Sequence, residues 1–279
     1  MSEHNLKPHF FDYFWPAGVA LIGGFFGLYL TILIFFALGF PITFWHGLAF
    51  VIFAWASGIL AVPGPSSSRK TFQLLLFLIF ICGSLAALAG RLDDLSWDGM
   101  AVRLETVLAL SAGWNPVRDP GFQEVTQLLG TNPYLRKSMV THAGYQYSYG
   151  NLLAAYLVHV TENPNSGKAV TPILMLASLG VTFGALRTLG LGAVWCLSLA
   201  GLSALNPVSI YQSSSYYIDA QTGPLYTCLA FSALRLLVSP LKYDGVLALA
   251  VSFLSLAAAK TSGLFYGVLL DAFFMGFLS

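Results

Sequence analysis

The stretch "TFQLLLFLIFICGSLAALAG", residues 71–90, is predominantly apolar and carries no charge, and "RLDDLSWDGM", residues 91–100, follows it directly. An α-helix needs about 20 such residues to cross a hydrocarbon core about 30 Å thick. The first stretch therefore predicts a transmembrane helix. Three aspartates, Asp93, Asp94 and Asp98, follow its end.

The composition of the whole chain agrees with a membrane location. Hydrophobic residues make up 57% of the chain and charged residues only 9%, whereas an ordinary soluble domain has roughly 25% charged residues. The formal net charge is +1, and the chain has no run of Lys and Arg of the kind that binds nucleic acid. We therefore expect an integral membrane protein with no nucleic-acid partner.

The length rule predicts further spans along the chain, so the expected fold is an all-α polytopic bundle of about seven to eight transmembrane helices. We treat residues 1–279 as one membrane domain, with an N-terminal helix pair in residues 1–70 and an external loop in residues 91–168. The predicted spans besides 71–90 are residues 17–40, 42–62, 169–188, 191–205, 221–238, 246–259 and 263–278.

The short basic loops predict the orientation, because Lys and Arg accumulate on the cytoplasmic side. If the loop with Arg69 and Lys70 is cytoplasmic, the N-terminus is cytoplasmic and the loop 91–168 is external. Counting onward also places Arg187, Arg235 and Lys242 inside. We expect a protein of the bacterial inner membrane with a periplasmic loop that contains amphipathic juxtamembrane helices.

Most of the acidic residues lie in this predicted external loop, and they have two interpretations. Charged residues are mostly exposed, so these carboxylates fit an ordinary solvated loop. The alternative rests on Trp97, which is typical of an interfacial anchor, and on "MAVRLETVLAL", residues 100–110, whose apolar spacing predicts an amphipathic helix at the interface. That arrangement would hold the aspartates at headgroup depth, with Gly99 allowing the backbone to come close to a ligand.

A tyrosine-rich segment, "HAGYQYSYG" at residues 142–150, lies further along the same loop. Tyr145, Tyr147 and Tyr149 fit either a belt of aromatic rings at the membrane interface or a surface that stacks on a sugar or a lipid headgroup. A third polar, aromatic stretch, "LNPVSIYQSSSYYID", covers residues 205–219. The sequence therefore predicts that three such segments meet on the external face.

The order of these features resembles the GT-C superfamily of multispanning glycosyltransferases, which take a sugar from a polyprenyl-phosphate carrier at the outer face of the membrane. Protein O-mannosyltransferases and lipid A aminoarabinose transferases are members. The resemblance covers about residues 91–266 and rests on "WDGMAVRLETVLAL", "YSYGNLLAAYLVHVTEN", "LNPVSIYQSSSYYIDA" and "AAAKTSGLFY".

The resemblance implies roles for particular residues. Asp98 matches the first-loop aspartate that deprotonates the acceptor hydroxyl, a group that needs a base to become a good nucleophile. Asp94, with Asp93, would assist by raising the pKa of Asp98 or by holding a divalent cation. Lys260 would neutralise the lipid phosphate, or else extends to the membrane surface as an ordinary lysine does. The other candidates for binding the donor or substrate are Tyr145, Tyr147 and Arg103.

The chain also departs from the family pattern. The acidic loop follows the third predicted span, whereas relatives usually have it after the first. The segment Tyr147-Ser148-Tyr149-Gly150 stands where relatives tend to carry Tyr-Pro with a basic residue or Pro-Leu. The chain ends in an apolar stretch after about eight spans, where relatives usually continue.

Two functions therefore remain open. The first is a membrane glycosyltransferase that uses a polyprenyl-phosphate sugar. The second is a shortened, catalytically inactive relative that serves as an accessory subunit. Transporters place ionisable residues within broken helices at the bilayer midplane. A transporter is therefore disfavoured, because the acidic residues of this chain lie beyond the predicted spans.

The first predicted span carries a feature that favours a protein partner. The segment "LIGGFFG", residues 21–27, places Gly23, Gly24 and Gly27 on a small-residue face of the kind that lets membrane helices approach closely. We therefore expect the N-terminal helix pair to contact a partner membrane protein or a second copy of the chain.

Overall fold

The computed structural model describes residues 10–62, 67–94, 96, 99–119, 148–239 and 243–278. These residues form helices and connecting turns, with no β-strand among them, so the all-α prediction is confirmed. The helices are α1 (Phe14–Leu38), α2 (His46–Ala61), α3 (Ser67–Ala89), α4 (Glu105–Ser111), α5 (Tyr149–Thr161), α6 (Val170–Thr188), α7 (Ala193–Ala204), α8 (Pro207–Tyr211), α9 (Asp219–Val238), α10 (Tyr243–Ala259) and α11 (Thr261–Leu278).

Short turns of other helical types extend three of these helices at their N-termini. A 3-10 turn at Phe10–Tyr13 leads into α1, and another at Ser166–Ala169 leads into α6. A π-helical turn at Gly99–Leu104 leads into α4.

Within the described ranges, three helical stretches are long and apolar enough to cross a membrane. They are Phe11–Leu38, Ser67–Ala89 and Ser166–Thr188. Shorter apolar helices cover His46–Ala61, Ala193–Ala204, Tyr243–Ala259 and Thr261–Leu270, which is less than the roughly 20 residues of a full perpendicular span. These helices indicate a membrane protein, and the count of seven to eight spans stays a prediction.

The apolar surface of the bundle supports the same conclusion. Helix α3 lies at the periphery, and Phe72, Phe77 and Phe80 point outward with more than half of each side chain exposed. Val194 and Trp195 of α7 are exposed to 77% and 68%. Apolar patches of this extent are rare on soluble monomers, and a lipid environment accounts for them.

Helix α1 lies at the centre of the bundle and packs closely on two neighbours. On one side, a Cβ atom at Gly23 would clash with Ser57 of α2, and one at Gly27 would clash with Phe53 of the same helix. On the other side, a Cβ at Gly18 would lie 2.7 Å from the backbone nitrogen of Val181 in α6. The glycine face that we expected to receive a partner is therefore covered by α2 of the same chain, and contact with another protein stays a prediction.

The loops between these helices gather at opposite ends of the bundle. The backbone N–H of Tyr216 donates to Asp94, and these residues belong to loops that the sequence predicts to be external. Lys70 and Arg187, which the sequence predicts to be cytoplasmic, line one cavity at the other end. We name these the outer end and the inner end after the predicted orientation.

Candidate functional site

Asp94 is a buried acidic residue at the outer end whose two carboxylate oxygens both accept hydrogen bonds. Its side chain is only 4% exposed. Its Oδ1 accepts hydrogen bonds from the backbone N–H of Ser96 at 2.8 Å and from the Ser96 hydroxyl at 2.6 Å, and its Oδ2 accepts from the backbone N–H of Tyr216 at 3.0 Å. Asp94 therefore joins the loop after α3 to the loop before α9.

Gly99 makes this arrangement possible. Its backbone N–H donates to the Ser96 hydroxyl oxygen at 3.2 Å, and a Cβ atom at this position would clash with Ser96 and with Oδ2 of Asp94. In the structure the backbone at Gly99 comes close to Asp94, and its predicted approach to a ligand stays a prediction. No larger residue fits here without moving the carboxylate.

Lys168 brings a buried cation to the outer end. It is 1% exposed, and its ammonium group donates to the carbonyl oxygen of Leu92 and to Oδ1 of Asn165, the latter at 3.1 Å. The negative charges of Asp94 and Asp93 both attract it. The sequence gives little indication that Lys168 is buried, because a lysine just before an apolar stretch is typical of an exposed loop end.

The same cluster holds Tyr216 and Asp93. The Tyr216 hydroxyl donates to the carbonyl oxygen of Pro164, and burial together with the nearby charge of Asp94 raises the pKa of Tyr216 above its ordinary value. Asp93 is exposed and accepts from Nδ2 of Asn165 at 3.1 Å. Residues 92–94 and 96 therefore meet the distant segment 163–168 at the Tyr216 loop. We call residues 92–94, 96, 163–168 and 216 the outer cluster.

Lys260 also lies at the outer end, in the break between α10 and α11. Its ammonium group forms an ion pair with Oδ1 of Asp219 at 2.6 Å, and the two side chains are 48% and 52% exposed. Exposed pairs of this kind contribute only about 0–1 kcal/mol. The charge of Lys260 is matched by a neighbour that an incoming anion can displace at low cost.

Arg103 lies in the π-helical turn before α4, and Glu105 is the first residue of α4. Both residues are partly buried. Burial raises the pKa of Glu105 above its ordinary value.

Tyr149 does not fit either interpretation made from the tyrosine pattern. It is fully buried at the start of α5, with its ring centroid 5.2 Å from that of Tyr29, because α5 packs into the bundle.

Several predicted site residues lie outside the described residues: Asp98, Tyr145 and Tyr147, with Trp97 beside them. Their roles stay predictions. Among the residues that the structure does describe, no group of three or more His, Cys, Asp or Glu side chains has the arrangement of a metal site. Both carboxylate oxygens of Asp94 already accept hydrogen bonds, and the divalent cation proposed for Asp93 and Asp94 stays a prediction.

An apolar cavity of about 390 Å³ lies between the helices on the α3 side of the bundle. Phe25 and Leu28 of α1 form its inner wall, and Gly83 of α3 and Tyr156 of α5 also line it. Most of the remaining lining is apolar: Phe44, Gly47, Leu48, Phe50, Val51, Ile79, Cys82, Ala86, Leu157, Val160, Thr161 and Ile173. The cavity can hold part of a hydrocarbon chain.

This cavity extends toward the outer cluster. Ala86 and Thr161 line it, and they lie near the C-terminal ends of α3 and α5. Just beyond these ends, Nδ2 of Asn163 donates to the carbonyl oxygen of Gly90 at 3.1 Å. The same two helix ends that border the cavity therefore lead directly into the outer cluster.

No family profile, curated protein or solved structure matches this chain.

Proposed function

We propose that the chain is a membrane glycosyltransferase that takes a sugar from a polyprenyl-phosphate carrier at the outer end of the bundle. The observation that carries this proposal is the apolar cavity of about 390 Å³ that leads toward the outer cluster. A polyprenyl-phosphate donor has an apolar tail and a charged head, so it needs such a cavity beside a polar, charged surface.

The dimensions and chemistry of the cavity favour a lipid tail as its occupant. Its walls are formed by helices α1, α2, α3 and α5 and are mainly aliphatic and aromatic. Helix α3 is peripheral, with its large side chains facing outward, so a tail can approach from the lipid side. Because lipid is as apolar as the cavity, the tail is held here by packing contacts and by its charged head group.

The outer end also offers cations for the phosphate. Lys260 forms only an exposed ion pair with Asp219, which an anionic donor can replace. Lys168 is buried and held by Leu92 and Asn165, and its charge lowers the cost of bringing a phosphate to this end. Lys260 is the candidate for contacting the donor, together with Arg103, Tyr145 and Tyr147, whereas the buried Lys168 acts only through its charge.

In this proposal the acidic residues have different roles. Asp94 is fully engaged in hydrogen bonds to Ser96 and Tyr216, so we assign it to positioning the loop rather than to proton transfer. The general base is then Asp98, two residues beyond Ser96, which would accept the proton of the acceptor hydroxyl as a new bond forms to the sugar carbon. The bond from that carbon to the lipid phosphate breaks, and the phosphate leaves with the electron pair.

The accessory-subunit function is the second candidate, and it rests on the departures of the chain from the family pattern. The glycine face on the first helix, where we expected a partner whether or not the chain is an enzyme, packs on Ser57 and Phe53 of α2. The outward-facing apolar residues of α3 and α7 suit lipid as well as a partner. A partner therefore has no assigned surface on the described part of the chain.

Photo-crosslinking tests the proposal without knowledge of the sugar or acceptor. The full chain in nanodiscs is irradiated with a polyprenyl phosphate that carries a benzophenone in its tail, with and without excess unlabelled polyprenyl phosphate. We expect a saturable adduct on peptides from α2, α3 or α5. An adduct that a polyprenyl alcohol competes away equally well would contradict the phosphate part of the proposal, and the absence of a saturable adduct would contradict the whole.

A further inference from the structure

A second cavity, of about 350 Å³, lies at the inner end of the bundle. Three cationic residues from different helices line it: Lys70 in the first turn of α3, Arg187 near the end of α6 and Arg235 near the end of α9. One carboxylate, Asp12, also lines it. Three cations that converge from three helices make an electropositive cavity that the proposed glycosyl transfer does not use.

Arg235 is held in a fixed position at this cavity. Its Nη2 donates to Oδ2 of Asp244 at 2.9 Å, and the same oxygen accepts from the indole Nε1 of Trp15 at 2.8 Å. The guanidinium carbon lies 4.0 Å from the centre of the Trp15 ring. Arg235 thus has a charged hydrogen bond to Asp244 and a cation–π contact with Trp15, and together these two contacts orient its planar group.

The fixed guanidinium still has an unused donor. Its Nε is buried and has no hydrogen-bond partner in the part of the chain that the structure describes. An atom this inaccessible cannot meet a ligand in the cavity, so a ligand reaches Arg235 only through its terminal Nη groups. Asp244 neutralises Arg235 and Asp12 offsets one of the other two cations, so Lys70 and Arg187 leave the cavity with one net positive charge.

A glycine provides the space for this arrangement. Gly184 of α6 also lines the cavity, and a Cβ atom there would lie 3.0 Å from the Cα of Trp15 and closer still to its Cβ. The absence of a side chain at Gly184 lets Trp15 lie between α6 and Arg235. The aromatic wall and the position of Arg235 therefore depend on one close helix contact.

The position of the cavity along the helices indicates which anions can reach it. Its lining comes from helix ends: the start of α1, the end of α2, the first turn of α3 and the ends of α6 and α9. Three of these helices, α1, α3 and α6, belong to the stretches long enough to cross a membrane. Their ends lie where lipid phosphates lie, at the boundary between hydrocarbon and water.

We propose that this inner-end cavity binds a phosphate ester, with Lys70, Arg187 and Arg235 as its ligands. The position of the cavity at the helix ends favours the headgroup phosphate of an anionic membrane lipid as its ligand. A soluble phosphate would bind through the same groups. Arginine binds phosphate oxygens through paired N–H groups, and lysine binds them as a point charge. This site is independent of the outer cluster and of glycosyl transfer.

Native mass spectrometry of the full chain tests the proposal. The protein is released from nanodiscs that contain graded fractions of phosphatidylglycerol in phosphatidylcholine, and retained lipids are counted with and without millimolar inorganic phosphate. The variants are Lys70→Gln and Arg187→Gln. Arg69→Gln is the matched control, because Arg69 is exposed, adjacent in sequence and absent from the cavity lining.

We expect wild type and Arg69→Gln to retain phosphatidylglycerol in preference to phosphatidylcholine. Lys70→Gln and Arg187→Gln should each weaken that preference about fivefold, the usual contribution of one basic residue near an anionic surface. If inorganic phosphate displaces the lipid from wild type, the cavity binds phosphate, and its ligand is a soluble phosphate instead of a lipid headgroup. Equal losses in Lys70→Gln and Arg69→Gln, or no preference in wild type together with no effect of phosphate, would overturn the proposal.

Discussion

Gly83 of α3 offers the sharpest test of the apolar cavity as a lipid-tail site. It lines the cavity, and a Cβ atom built there meets no other atom within 4 Å. A side chain at this position therefore begins in open space, and we expect the four side-chain carbons of leucine to extend into the cavity. The change fills space that the proposed donor tail would otherwise occupy.

The size of the effect follows from the number of carbons displaced. The displaced tail carbons stay in lipid, which is as apolar as the cavity, so the loss is one of packing contacts and not of hydrophobic transfer from water. At about 0.1–0.2 kcal/mol per atom pair, about ten lost contacts amount to about 1–2 kcal/mol, which corresponds to an affinity about 5- to 30-fold lower. We expect Gly83→Leu to reduce saturable photo-crosslinking of the benzophenone polyprenyl phosphate accordingly, as measured by the donor concentration that gives half-maximal adduct.

Gly201→Leu is the matched control for this experiment. Gly201 lies in α7, a Cβ there also meets nothing within 4 Å, and the residue does not line the cavity. Both variants gain helix propensity by roughly 0.5–1 kcal/mol, so neither should unfold. If Gly83→Leu and Gly201→Leu bind the donor equally well, the tail does not occupy this cavity, and the main support for the proposed function is lost.

Three further predictions concern the base, the orientation and the glycine face. Asp98→Asn should lower sugar transfer from a labelled polyprenyl-phosphate donor by about 10²- to 10⁴-fold, the usual effect of removing a general base, and near-normal transfer would exclude it; Glu162→Gln, at an exposed carboxylate with no proposed role, is the control. A cysteine in place of Ser67 should resist an impermeant thiol reagent in intact cells and react after permeabilisation, and labelling before permeabilisation would reverse the predicted orientation. Gly23→Leu should lower thermal stability by about 1–3 kcal/mol through overpacking against α2, read as a lower unfolding midpoint than Gly201→Leu, and an unchanged midpoint would contradict the observed packing.

The sequence predicts the helices well, because a membrane span is a long apolar run and such runs are visible without knowledge of contacts. Residues 71–90 predicted a helix that the structure places at Ser67–Ala89. The earlier start includes Arg69 and Lys70, because a helix continues past the hydrocarbon until its backbone groups meet water. In helix α1 the C-terminal end is also marked in the sequence. Gly39 follows the last residue of the helix with φ +90°, a left-handed conformation that glycine adopts at low cost.

The contacts of individual polar residues were harder to predict. Tyr149 belongs to an alternating tyrosine pattern that suggested exposure, yet it is buried because α5 packs against α1. Lys168 gave no signal, because the carbonyl of Leu92 that it binds is 76 residues away in sequence. The glycines of α1 were recognised as a packing face, and the sequence could not indicate that the neighbour was α2.

The bond between Tyr216 and Asp94 also determines when the outer cluster can form during synthesis. The two residues are 122 positions apart, and a ribosome adds roughly 5–20 residues per second. Asp94 therefore leaves the ribosome about 6 to 24 s before Tyr216 does. During that interval the loop after α3 lacks this hydrogen bond, although Lys168 has already been made. A nascent chain released just before residue 216 would contain α1 to α8 and would lack the donor that Oδ2 of Asp94 binds in the folded protein.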